Sequence, residues 1–149
     1  MLRIAIPTTI AAVVLMAVTL TWTPATAMFV GVTYDATGNL VVRGSGGMRE
    51  KMNVDLTVAK RKVEFDQTNG NSPLSGTLRL DKKVGTNDKK VNAKVKGKLA
   101  NRRDAGTVDR GKFKIKENRS GVVSLSTSLR GKVTKGDAKG ATFSIKLKG

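Results

Sequence analysis

The sequence predicts an all-β domain: one antiparallel unit of about eight strands, a small barrel in preference to a two-sheet sandwich, behind an N-terminal signal peptide. Three observations carry this. Apolar and polar residues alternate with a period of two, most clearly in residues 89–100, where Val91, Ala93, Val95 and Leu99 interleave with Lys94, Lys96 and Lys98. That spacing puts the apolar set on one face of a strand and the lysines on the other. Turn-forming clusters separate such stretches at even intervals, and no useful window beyond the N-terminus has helical periodicity. Finally, Gly76, Gly97 and Gly131 fall at inward positions in mid-strand, where glycine marks the bends that let a sheet curl closed.

The N-terminus reads as an export signal. Arg3 precedes an apolar run from Ile4 to Leu20, Pro24 stops it, and Ala25-Thr26-Ala27 has the small-x-small form of a cleavage site. The alternative is an uncleaved anchor, but the run is near the lower length for a bilayer span and no basic cluster follows it. Residues 1–27 are therefore expected to leave, and with them Trp22, the only tryptophan. The mature domain is residues 28–149, with no membrane-spanning segment after cleavage. It has no cysteine, hence no disulfide and no lipid-anchoring cysteine. An exported domain without disulfides points to a periplasmic or secreted bacterial protein.

Taken in order, residues 29–34 read as a first strand and Leu40-Val41-Val42 as its hairpin partner, with 35–39 as the turn between them, because Gly38 and Asn39 accept positive φ. Residues 44–47 form a glycine-rich linker between strands, since neither a strand nor a helix follows at the spacing a phosphate-binding loop needs. Met52, Val54, Leu56 and Val58 alternate as a half-buried strand. Lys60-Arg61-Lys62 shifts the phase to Val63 and Phe65, as a tight turn or β-bulge would. Residues 66–73 form the most polar loop. Its single carboxylate and misplaced glycine fail the pattern of a calcium loop. Leu74, Gly76, Leu78 and Leu80 supply the next inward set. The lysine-faced strand follows, then 108–116, then 122–133, and a last strand with Phe143, Ile145 and Leu147 inward.

Charge is unevenly placed. Residues 28–78 carry six basic and five acidic side chains, and residues 79–149 carry twenty-one and six, a net of +1 against +15. The bland explanation is solubility, but the excess is about twice what solubility calls for. The asymmetry points instead to a partner of opposite sign.

Inventory argues against catalysis. Histidine and cysteine are absent, which removes the commonest general base, the thiolate nucleophile and ordinary zinc ligands. No Ser-x-x-Lys occurs. Glu64 and Asp66 share a strand face and could form a glycosidase pair, but solvent-facing acids are the ordinary case. No metal or cofactor is expected. An outer-membrane barrel is excluded by lysine on the outward face and by the lack of aromatic girdles.

The sequence therefore predicts a non-enzymatic binding protein. If the last strands form a meander, Lys94, Lys96, Lys98, Lys112, Lys114, Lys116, Lys146 and Lys148 share one outer surface, suited to anionic envelope polymers or lipid head groups. Ser124, Ser126, Ser128 and Arg130 add a polar strip able to hydrogen-bond a sugar-rich ligand. Nucleic acid is the weaker partner, because single-strand binders need exposed aromatics and most phenylalanines here have core parity. Two other classes compete: a barrel-type carrier of a small apolar ligand, with room left by Gly76, Ala93, Gly97 and Gly131, and a module that docks on or inhibits another protein.

Overall fold

The computed structural model describes residues 29–44 and 47–149. The expected signal peptide (1–27), Met28 at the expected mature start, and Ser45 and Gly46 of the glycine-rich linker lie outside the described residues. Eight strands follow one another: β1 (Thr33–Arg43), β2 (Met48–Val58), β3 (Lys62–Gln67), β4 (Ser75–Leu80), β5 (Lys90–Ala100), β6 (Ala105–Glu117), β7 (Val123–Lys135) and β8 (Thr142–Lys148). Each pairs antiparallel with the next, and β8 pairs antiparallel with β1, so the sheet closes into an up-and-down barrel. Closure leaves no unpaired edge to template aggregation.

The period of two does what a barrel requires. One parity of each strand points inward, switching once in β6 between Val108 and Phe113, and Leu56, Val58, Val63, Phe65, Leu78, Leu99, Phe113, Ile115, Leu129, Ile145 and Leu147 are all buried in one core. Each such side chain contributes about 1.5–3 kcal/mol by leaving water. The opposite parity is mostly polar or charged and exposed or half-buried, with apolar exceptions such as Val41 and Ala100.

Strand β1 corrects the sequence reading. Residues 35–39 are not a turn: the strand runs unbroken from Thr33 to Arg43, pairing Thr37 with both Asn53 and Lys148. The turn-forming side chains mislead because Ala36 and Leu40 point into the core while Asp35, Thr37 and Asn39 point out, a regular alternation. Gly38 serves the seam rather than a bend. A Cβ there would strike the Lys146 carbonyl of β8, so glycine lets the two strands close. The second strand also starts earlier than expected, at Met48, and Asp66 and Gln67 belong to β3 rather than to the loop after it. Lys60-Arg61-Lys62 makes a tight turn, with the Ala59 amide donating to the Lys62 carbonyl at 2.8 Å.

The mid-strand glycines Gly76, Gly97 and Gly131 each admit a close approach of neighbouring backbone. A Cβ at Gly76 would meet the Lys98 carbonyl, at Gly97 the Thr77 carbonyl and at Gly131 the Thr107 carbonyl. They are sites of close backbone approach, which suits strands curling into a closed barrel. The main bulge lies in β6 at Asp109, where register is lost against β5 between Lys94 and Gly97 and against β7 between Val108 and Arg110.

The two ends differ. At one, Phe29 and Val84 fold into the core from the segment before β1 and from the β4–β5 loop, with the Gly31 amide on Val58 and the Val84 amide on Lys60, both at 2.7 Å. That end is closed. At the other, side chains tie the loops down. Asn101 Oδ1 accepts from the amides of Arg103 (2.8 Å) and Asp104 (2.7 Å), and Asp104 Oδ1 accepts from the amide of Ala138 (2.9 Å). Buried Gln67 donates through Nε2 to Glu50 Oε2 (2.7 Å) and accepts at Oε1 from the Leu74 amide (3.0 Å).

Candidate anion-binding face

The outer face of β5–β8 is built by register. Strand β7 runs through its middle and presents Ser124, Ser126 and Ser128 outward. Directly across from them on β6 stand Lys116, Lys114 and Lys112, and on β8 Lys148 faces Ser126 while Lys146 faces Ser128. Neighbouring strands lie about 4.8 Å apart, so the two lysine rows are about 10 Å apart. Short serines between long lysines make a trough with a hydroxyl floor and ammonium walls. One groove of about 460 Å³ is lined by Lys90, Asn92, Lys114, Lys116, Ser124, Ser126 and Lys148.

All eight lysines singled out from the sequence are exposed on this outer surface, but they are not equivalent. Lys112, Lys114, Lys116, Lys146 and Lys148 wall the trough. Lys94 extends it, lying opposite Lys112. Lys96 and Lys98 stand farther round, opposite Arg79 and Thr77 of β4, with the β6 bulge between them and the trough.

Sequence reasoning missed several cations. Lys90 pairs with Lys116 and has the parity of Lys94, so the alternation already marked it. Arg110 and Lys132, also missed, join Arg43 and Arg130, the latter already placed in the polar strip, around a second groove of about 440 Å³, with Asp109 as the one acid on it. Arg110 was hidden by the phase slip at Asp109, which the sequence betrays only in the change of parity from Val108 to Phe113. Guanidinium groups add planar, forked donors that lysine lacks.

No carboxylate stands directly across from any wall lysine. The partners are Ser124, Ser126, Ser128, Asn92, Asn39 and Thr37, or another lysine. Two like-charged pairs sit opposite each other, Lys94 with Lys112 and Lys90 with Lys116. Such juxtaposition weakens a sheet.

The acids gather on another wall. Asp35, Asp55 and Asp66 form a row across β1, β2 and β3. A hydrogen bond with Asp35 is the main cause, followed by desolvation and the charges of Asp35 and Asp66, that raises the Asp55 carboxyl above its ordinary range. Among the described residues, no group of His, Cys, Asp or Glu is placed to hold a metal ion. Tyr34, half-buried near the closed end, has its phenol pushed up by desolvation and by the charge of Glu117. Glu64 and Asp66, weighed as a carboxylate pair, are exposed on the outside of β3. Compared with protein-family models, with curated proteins and with solved structures, the chain matches none.

Proposed function

We propose that this is an exported, non-catalytic binding protein, periplasmic or secreted, that holds anionic envelope polymers or lipid head groups on the β5–β8 face. The observation that carries the reading is the pairing of lysine opposite lysine on neighbouring strands, Lys94 with Lys112 and Lys90 with Lys116; the one carboxylate beside these pairs is Asp81, whose Oδ1 accepts from the Lys94 backbone amide at 2.8 Å. A surface selected only for stability would relieve that repulsion. A surface selected to hold oxyanions keeps it, because the ligand supplies the missing charge. Ammonium groups on flexible stems give many weak, exchangeable contacts, and the serine floor offers hydroxyls to the sugar or phosphate backbone between them.

The aromatic residues weigh against single-stranded nucleic acid. Phe29, Phe65, Phe113 and Phe143 are buried, so among the described residues no phenylalanine offers a stacking platform beside the charge.

The test is binding of the purified protein to a sulfated polysaccharide, and to anionic and zwitterionic vesicles, across a salt series. The polysaccharide and the anionic vesicles are expected to bind at low salt and to be released as salt rises, with log K falling linearly in log salt. Equal binding to both kinds of vesicle, or no binding to any anion at low salt, overturns the proposal.

A further inference from the structure

The barrel is a cup. Phe29 and Val84 close one end, while between the loops at the other lies a pocket of about 330 Å³. We propose that this open end is a second binding site, distinct from the charged outer wall, for a small amphipathic molecule: a short apolar tail with an uncharged, hydrogen-bonding head.

The lining decides the class. Leu40, Leu99, Val133 and Phe143 form the floor, and Leu74 and Ala138 the sides. Met48 stands at the lip with 45% of its surface exposed, one of the few large apolar side chains left in water. Methionine adapts to irregular apolar partners. The space arises from residue size, since Ala105, Gly106 and Ala138 sit at this end whereas Met52, Phe65, Phe113 and Ile115 fill the barrel deeper in. At roughly 30 Å³ per water in the liquid, the volume equals about eleven waters, or a chain of about ten carbons.

The rim selects the head. Asn71, Ser72 and Asn101 offer amides and a hydroxyl, while Arg103 is offset by Glu50 and Asp104. Donors and acceptors are mixed, and neither sign of charge dominates, unlike the outer wall. The site is also built in advance: the Asn101 turn, the Asp104–Ala138 bond and the Gln67–Glu50 bond fix the loops around it without a ligand. Mouths of small barrels are favoured places for such sites.

The experiment uses n-octyl glucoside below its micelle concentration, with glucose, n-hexyl glucoside and octanoate for comparison, read by calorimetry and by amide chemical-shift mapping on the purified protein. Octyl glucoside is expected to saturate one site, with shifts confined to residues such as Leu74, Leu99, Val133 and Ala138. The hexyl compound is expected to bind about tenfold more weakly, as two fewer buried methylenes require. Ala138→Phe and, independently, Ser72→Phe should fill the pocket and weaken binding at least tenfold without altering salt-dependent retention on the sulfated polymer. Absence of saturable binding, glucose binding as well as octyl glucoside, or shifts on the lysine wall instead of the mouth would overturn it. Octanoate binding more tightly than octyl glucoside at the mouth would refute the uncharged head. Apart from the retention control on the two phenylalanine variants, these outcomes are read without the polyanion assay, so the mouth site can fail or stand independently of the charged wall.

Discussion

Thr127 offers a sharp test of how the interior is packed. It lies in the middle of β7, opposite Phe113 on β6 and Leu147 on β8, with Leu125 and Leu129 on the same face. Only 2% of its surface is exposed, and its Oγ1 has no hydrogen-bond partner. A buried hydroxyl without a partner has lost its water and gained nothing, a cost of about 1–3 kcal/mol in mutational series. Thr127→Val keeps the β-branched shape, which suits a strand equally well, and replaces the hydroxyl by a methyl. The expected result is a gain of about 1–2 kcal/mol, a rise in melting temperature of about 3–8 °C for a domain of this size. Urea unfolding should show the midpoint shifted upward with an unchanged slope, because both proteins bury the same surface. Thr127→Ser is the control. It keeps the orphan and removes a buried methyl, so it should cost about 1 kcal/mol. Destabilisation by valine would refute the reasoning, and would mean that the hydroxyl is bonded to water enclosed in the core.

Three further outcomes follow from the geometry. Gly97→Ala would drive a Cβ into the Thr77 carbonyl and should destabilise by about 1–3 kcal/mol. Unfolding at the wild-type urea midpoint would contradict the close-approach reading. Asp55→Asn should raise the melting temperature at pH 7. The Asp55 carboxyl has a folded-state pKa above its unfolded one, so its ionised form disfavours the fold above that folded pKa. That penalty fades as pH falls through the folded pKa, and the mutant's advantage should vanish with it. An advantage constant from pH 3 to pH 7 would show a cause other than charge. Lys112→Glu should act in opposite directions on two measurements, stabilising the barrel by about 0.2–1 kcal/mol through relief of the Lys94 repulsion while weakening retention on a sulfated polymer. Loss of both stability and binding would remove the case for a strained cationic wall.

Much of this was legible in the sequence because a barrel states itself locally. Alternation in β5, β7 and β8 reports the inward side directly, and closure was signalled by inward glycines that the structure finds at close backbone approaches. Strand β1 was misread because turn propensity and strand membership conflict over residues 35–39, and only pairing with both β2 and β8 resolves the conflict. The trough was half legible. Parity located the lysines, but which wall each joins depends on the β6 bulge, a slip of one residue at Asp109. The mouth pocket was not legible at all. It is lined by the β3–β4, β5–β6 and β7–β8 loops together with strand residues, and no local pattern records that Ala105, Ala138 and Ser72 line one space.

The two proposed surfaces also divide the chain's charge in a physically consistent way. The split along the sequence, near neutral before residue 79 and strongly basic after it, becomes a split around the barrel, because an up-and-down meander keeps sequence neighbours together in space. Strands β1–β3 carry the Asp35–Asp55–Asp66 row, and β5–β8 carry the lysine trough. A protein with that arrangement has a direction in an electric field: near an anionic surface the basic wall turns toward it and the acidic wall away. The barrel axis then lies along the surface, which leaves the cup's mouth at one side, neither pressed against the surface nor pointed away. Holding by the wall and filling of the mouth are therefore compatible in one molecule, and a protein bound to anionic vesicles should still take up octyl glucoside with unchanged affinity. If vesicle binding blocked the mouth, the pole rather than the wall would be the attached surface, and Arg103, not Lys114 or Lys148, would be the residue whose loss releases it.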